Sequence, residues 1–167
     1  KPKPQPTFLT GPQTQALLAS ISTDTWTGRR DRAMFTLAAQ TGLRLSEIIG
    51  LRPADLHLDA GPHVACTGKG RKRRTTPLTA ATTAVMATYL TERRDRPGDA
   101  LFPNPQGRHL SPDAVQQRLS IYMTWAGSHC PELADKHVSV HTLRHTAAMG
   151  FLEAGIDTAI IALWLGR

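Results

Sequence analysis

The chain has 167 residues, 40% hydrophobic and 20% charged, which suits one compact domain and excludes a disordered chain. Its two cysteines, Cys66 and Cys130, exclude a disulfide scaffold and suit a reducing compartment. No apolar run approaches the roughly 20 residues of a membrane span, and twenty Lys and Arg against thirteen Asp and Glu give a net charge of +7.

The opening KPKPQP is Pro-rich and charged and reads as a linker. It has no apolar core of the kind a signal peptide needs. Thr10 is placed to cap a short helix carrying Leu17, Leu18 and Ile21. A second helix is predicted from Arg29 to Thr41, with Ala33, Met34, Leu37 and Ala38 on one face and Gly42 ending it. A third starts at Ser46 with Glu47, Ile48, Ile49 and Leu51 and stops before Pro53. From His63 to Leu78 the pattern changes to two β-like segments flanking GKGRKRR, a hairpin with a basic tip. Helices resume from Thr79 to Arg94 and from the Ser111–Pro112 pair to Trp125. Two more follow, from His141 to Ala154 and from Asp157 to Leu165, each closed by a glycine. The expected fold is therefore mainly α with a small antiparallel β-sheet.

Three segments carry chemistry. Residues 69–74 read Lys-Gly-Arg-Lys-Arg-Arg, five cations in six positions. On a hairpin tip, Arg71, Lys72, Arg73 and Arg74 suit the phosphates of a DNA groove, although a solvated turn has the same composition. The GxxxxGK[ST] spacing of a phosphate-binding loop is absent. Arginine carries most of the charge, for lysine occurs only at Lys1, Lys3, Lys69, Lys72 and Lys136. Its planar fork matches phosphate oxygens in pairs. A pI near 10.1 also points to nucleic acid, though a genome that favours Arg codons would produce the same excess.

His141, Arg144 and His145 fall at i, i+3 and i+4 and share a helix face. A cation beside an imidazole suits a phosphate, one neutralising charge and the other moving a proton. A metal reading of His141 and His145, with His129, Cys130 and His137 upstream, lacks the Glu of HExxH and sets Arg144 against a cation. A satisfied histidine at a helix start is the plain structural alternative. In TGLRLSEIIGL, Arg44 follows a helix-ending Gly42, and Glu47 lies one turn on, placed to orient it or a nearby imidazole.

Together these segments resemble the catalytic domain of the tyrosine recombinases, the phage-integrase family, from about Arg29 to Gly166. RDRAMFTLAAQTGLRLSEIIGL is similar to the family's first arginine box, GKGRKRRTTPL to its β-hairpin, and HTLRHTAAMGFLEAGIDTAIIALWLG to its second box. The resemblance implies the catalytic residues Arg44, Lys69, His141 and Arg144, with Glu47 and His145 supporting them. It implies attack by a tyrosine on duplex DNA through a 3′-phosphotyrosyl intermediate, with no cofactor and no metal. Arg167 stands where the family usually has His or Trp. Tyr89 and Tyr122 are the only tyrosines and both read as packing residues, so the nucleophile is expected beyond residue 167.

The expected organisation is a linker over 1–9 and a catalytic domain over 10–167, truncated before the tyrosine and without the family's N-terminal clamp domain. The resemblance further implies a tetramer on DNA for the full-length protein, a monomeric fragment inactive by itself, and a bacterial, cytoplasmic, nucleoid-associated location. Two alternatives stand beside it, a non-catalytic DNA-binding protein of the same fold and a metal-dependent nuclease built on the histidines.

Overall fold

A computed structural model describes residues 7–167; the KPKPQP segment lies outside them. The packed body begins slightly earlier than residue 10. Leu9 is buried, and its N–H donates to Thr146 Oγ1 at 2.9 Å.

Helix α1 (Gly11–Ala19) starts on Thr10, whose hydroxyl accepts from the Gln13 N–H. Helix α2 (Trp26–Thr41) starts three residues before Arg29, because Thr25 supplies the cap by accepting from Gly28 N–H. Helix α3 (Leu45–Gly50) is short and is followed by a 3-10 turn at Pro53–Asp55. Strands β1 (Leu56–His57), β2 (His63–Thr67) and β3 (Arg73–Pro77) form an antiparallel sheet in that order. The β2–β3 register runs from His63 opposite Pro77 to Thr67 opposite Arg73. The tip between them is a 3-10 turn at Lys69–Arg71, closed by Gly68 N–H donating to the Lys72 carbonyl at 2.8 Å.

Helices α4 (Ala80–Arg93) and α5 (Pro112–His129) come next, and α5 runs a turn past Trp125. A four-residue helix α6 (Pro131–Ala134) leads to α7 (Val140–Glu153) and α8 (Thr158–Leu165). The result is mainly helical with one small sheet, as expected. The two-residue strand β1 and the short α6 had no counterpart in the sequence pattern.

Helix α2 is the centre of the core, contacting α1, α4 and α7. Its Leu37 is fully buried, as are Leu143 of α7, Met86 of α4 and Leu119 of α5. Buried charges on α2 are paired, as burial requires. Asp31 is bonded to Arg30, Arg118 and Tyr122, which ties α2 to α5. Arg93 is equally buried, and its guanidinium donates to the carbonyls of Ala100, Arg96 and Gly98. Helix α7 packs on both α2 and α8, which brings the ends of the three helices together.

Candidate active site

Those three helix ends make the site. Helix α2 stops at Gly42, which has φ +71. A Cβ there would lie 2.7 Å from Leu165 Cδ2 and 3.1 Å from the Ala147 Cβ. Glycine is needed both for the left-handed turn and for the close approach of α7 and α8. Arg44 follows as the residue before α3, and its backbone N–H donates to Glu47 Oε1 at 2.7 Å. This carboxylate cap leaves the Arg44 side chain outside the helix, with 39% of it exposed.

Helix α7 starts on Ser139, whose hydroxyl accepts from Thr142 N–H. His141 in its first turn is exposed, while Arg144, one turn on, is buried. The Arg144 guanidinium donates to the Gly42 carbonyl at 2.7 Å and to the Leu165 carbonyl at 2.6 Å. Burial, with Arg44 and Arg167 nearby, pushes its pKa down to about 10, so it remains charged at neutral pH. His145 packs edge-on against His141, with ring centroids 5.3 Å apart. Burial and the nearby His141, Arg167 and Arg144 push the His145 pKa below its ordinary value.

Arg44, His141, Arg144 and Arg167 line one open cleft of about 370 Å³, together with Leu43, Leu45, Val140 and Gln116. The chain reverses at Gly166, φ +72, and this turn carries Arg167 to the cleft. Three cations and an imidazole around one cavity can hold an oxyanion and shift a proton. Gln116, from the second turn of α5, is a lining residue that no motif announced. Among the described residues, no three His, Cys, Asp or Glu side chains gather as a metal-binding group.

The hairpin residues divide. Lys69, Arg71 and Lys72 are exposed on the tip, and none lines the cleft. Arg73 is mostly exposed and reaches Asp55 at 3.0 Å. Arg74 departs from its expected place on a DNA-facing surface. Its guanidinium turns inward to a two-pronged pairing with the Glu47 carboxylate and donates to the Trp164 carbonyl at 3.0 Å. Burial works against the charge on Glu47, but hydrogen bonds from Arg74 and from the Arg44 backbone outweigh it and keep the carboxyl ionised.

Both tyrosines point elsewhere. Tyr89 donates to the Leu101 carbonyl at 2.7 Å, and Tyr122 bonds the buried Asp31.

Residues 7–166 match the family described as the phage integrase family. The "Putative integrase/recombinase y4rC" of Sinorhizobium fredii is 49% identical over 160 residues, covering 96% of this chain and 48% of that protein. The tyrosine recombinase XerD of Lacticaseibacillus casei is 36% identical, covering 97% and 55% respectively. The chain thus spans about half the length of the relatives it matches. Among solved structures, XerA recombinase superposes with a TM-score of 0.85 at 24% identity, over 100% of this chain and 57% of that one. XerH recombinase, bound to its difH substrate before cleavage, gives 0.82 at 26% identity, over 99% and 48%. No helix among the described residues is long and apolar enough to cross a membrane. The fold is that of the tyrosine recombinase catalytic domain, and the chain belongs to the phage integrase family.

Proposed function

We propose that this chain is the strand-cleaving domain of a site-specific DNA recombinase, acting by transesterification through a 3′-phosphotyrosyl intermediate. The observation that carries the reading is the convergence of Arg44, His141, Arg144 and Arg167 on one cleft. A five-coordinate phosphorus bears extra negative charge, and Arg44 and Arg144 would clamp its non-bridging oxygens. His141, exposed at the cleft, would serve proton transfer at the attacking tyrosine, while Lys69 would protonate the departing 5′ oxygen. Tip cations Arg71, Lys72 and Arg73 would hold flanking phosphates. Arg167 adds a fixed charge where the family usually places His or Trp.

The nucleophile would be a tyrosine outside these 167 residues, because Tyr89 and Tyr122 are buried and engaged in the core. The phosphotyrosyl link conserves the energy of the broken phosphodiester, so a second strand can be joined without ATP. A non-catalytic DNA-binding role draws its support from the Arg167 departure.

The test uses a chain that includes the following tyrosine and nicked duplexes selected from a random pool for binding. A covalent adduct stable to denaturant and insensitive to EDTA is expected, and it should vanish when that tyrosine is changed to Phe. Tight binding with no adduct would favour the non-catalytic reading. Loss of the adduct in EDTA would favour a metal-dependent nuclease.

A further inference from the structure

Beside the cleft, positive charge gathers around one buried carboxylate, Glu47. Glu47 has only 3% of its side chain exposed, and two arginines compete for it. Arg74 holds both oxygens, whereas the Arg44 guanidinium stays 3.7 Å away. Arg44 makes one further contact, a long bond of 3.5 Å to the Gly166 carbonyl. Its charge is therefore largely unspent.

We propose that Arg74 is a positioning residue: by saturating Glu47 it keeps the Arg44 guanidinium free for the phosphate. This rests on the functional reading given above. A buried carboxylate needs a partner. Without Arg74, the nearest available cation is Arg44, three residues away on the same helix start. Captured by Glu47, Arg44 would turn its fork from the cleft, and the cleft would lose one of its clamps.

A second set of contacts supports the assignment. Arg74 Nε–H donates to the Trp164 carbonyl at 3.0 Å, and the Thr76 hydroxyl donates to the same carbonyl at 3.1 Å. Arg144 takes the next carbonyl, Leu165, and Arg44 reaches Gly166. The negative end of α8 is thus held by cations, which complements the helix dipole. A Cβ on Gly166 would lie 2.9 Å from Arg74 Nη1, so the turn that leads to Arg167 rests directly on this guanidinium. Arg74 is a strut between β3, α3 and α8. A strut alone would predict only a stability defect, whereas competition for Glu47 predicts a suppressor.

The experiment titrates inorganic phosphate into the 167-residue chain and follows the side-chain N–H signals of Arg44 and Arg144 by NMR. Arg74→Ala should weaken binding at Arg44 by about tenfold, the usual scale for losing one charge-assisted contact. Adding Glu47→Gln to Arg74→Ala removes the competing charge and should restore affinity to within about threefold of the unsubstituted chain. Arg74→Lys keeps the charge without the paired bonds and covers the case in which alanine unfolds; its milder defect should also be relieved by Glu47→Gln. A double variant no better than Arg74→Ala or Arg74→Lys would overturn the proposal and leave a purely structural strut. Failure of phosphate to bind even the unsubstituted cleft would overturn the functional reading as well. Normal binding there with an indifferent Arg74→Ala would overturn this inference alone.

Discussion

Arg144 donates to the Leu165 carbonyl at 2.6 Å, so the arginine that faces the cleft also caps the last helix. Its other bond goes to the Gly42 carbonyl, where α2 ends. Site and scaffold share one side chain. Arg144→Ala would leave both carbonyls buried without this partner, at about 1–3 kcal/mol each. Arg44→Ala removes a half-exposed group with one long hydrogen bond and should cost under about 1 kcal/mol. Urea unfolding should separate the two variants clearly. Equal losses would mean that Arg144 is not holding the helix ends together.

The basic tip gives a prediction about salt. Each phosphate contact contributes about 0.9 to the slope of log K against log[salt]. Arg71→Ala and Lys72→Ala should each lower the slope for duplex DNA by about that amount, since both residues are exposed. Arg74→Lys should leave the slope unchanged, because Arg74 is engaged with Glu47. An unaltered slope in the tip variants would show that the hairpin does not touch DNA.

That division within GKGRKRR was legible only in part. As composition, residues 69–74 are one basic block. As structure, Arg73 and Arg74 lie on β3, where successive side chains face opposite sides of the sheet. Arg74 shares its face with the buried Thr76, and both reach the Trp164 carbonyl. Strand alternation carried the signal, and the charge run hid it. The arginine turn and the HxxRH helix start were readable because short spacings fix which residues share a helix face. Gln116 was not, since its place depends on accepting the Val140 N–H at the start of α7, a long-range relation that no local pattern encodes. Strand β1 and helix α6 span two and four residues, too short for any period to show.

His145 offers a pH test. Burial and the neighbouring His141, Arg167 and Arg144 lower its pKa from the ordinary value of 6.5. The folded chain therefore takes up this proton less readily than the unfolded chain. Its contribution to stability is complete above about pH 6.5 and falls as the pH drops through that value toward the folded pKa. Phosphates entering the cleft would counter the positive charge of Arg144 and Arg167 and raise the pKa. An NMR titration of the His145 ring should show ionisation below the ordinary histidine range in the free chain and an upward move on DNA. A DNA-bound value no higher than the free one would place the phosphate elsewhere.

Lys69 stands on the exposed tip, beside Gly70 and Arg71 with positive φ values of 74° and 59°. It does not line the cleft, so its proposed role requires the tip to close over bound DNA. An alkoxide leaves poorly, and expulsion of the 5′ oxygen calls for a proton as the bond breaks. Arginine gives up a proton far less readily than lysine. General-acid help of this kind is worth about 10²–10⁴-fold, or roughly 3–5 kcal/mol. In a chain that carries the nucleophilic tyrosine, Lys69→Ala should slow cleavage by that factor, with little loss of binding while Arg71 and Lys72 remain. Replacing the 5′ bridging oxygen with sulfur gives a leaving group that needs no proton. That substrate should restore the Lys69→Ala rate, yet leave Arg44→Ala and Arg144→Ala slow, since their defect lies at the non-bridging oxygens. Equal rescue of the arginine variants, or rescue of none, would reduce Lys69 to an electrostatic contact and make Lys72 the next candidate for the acid.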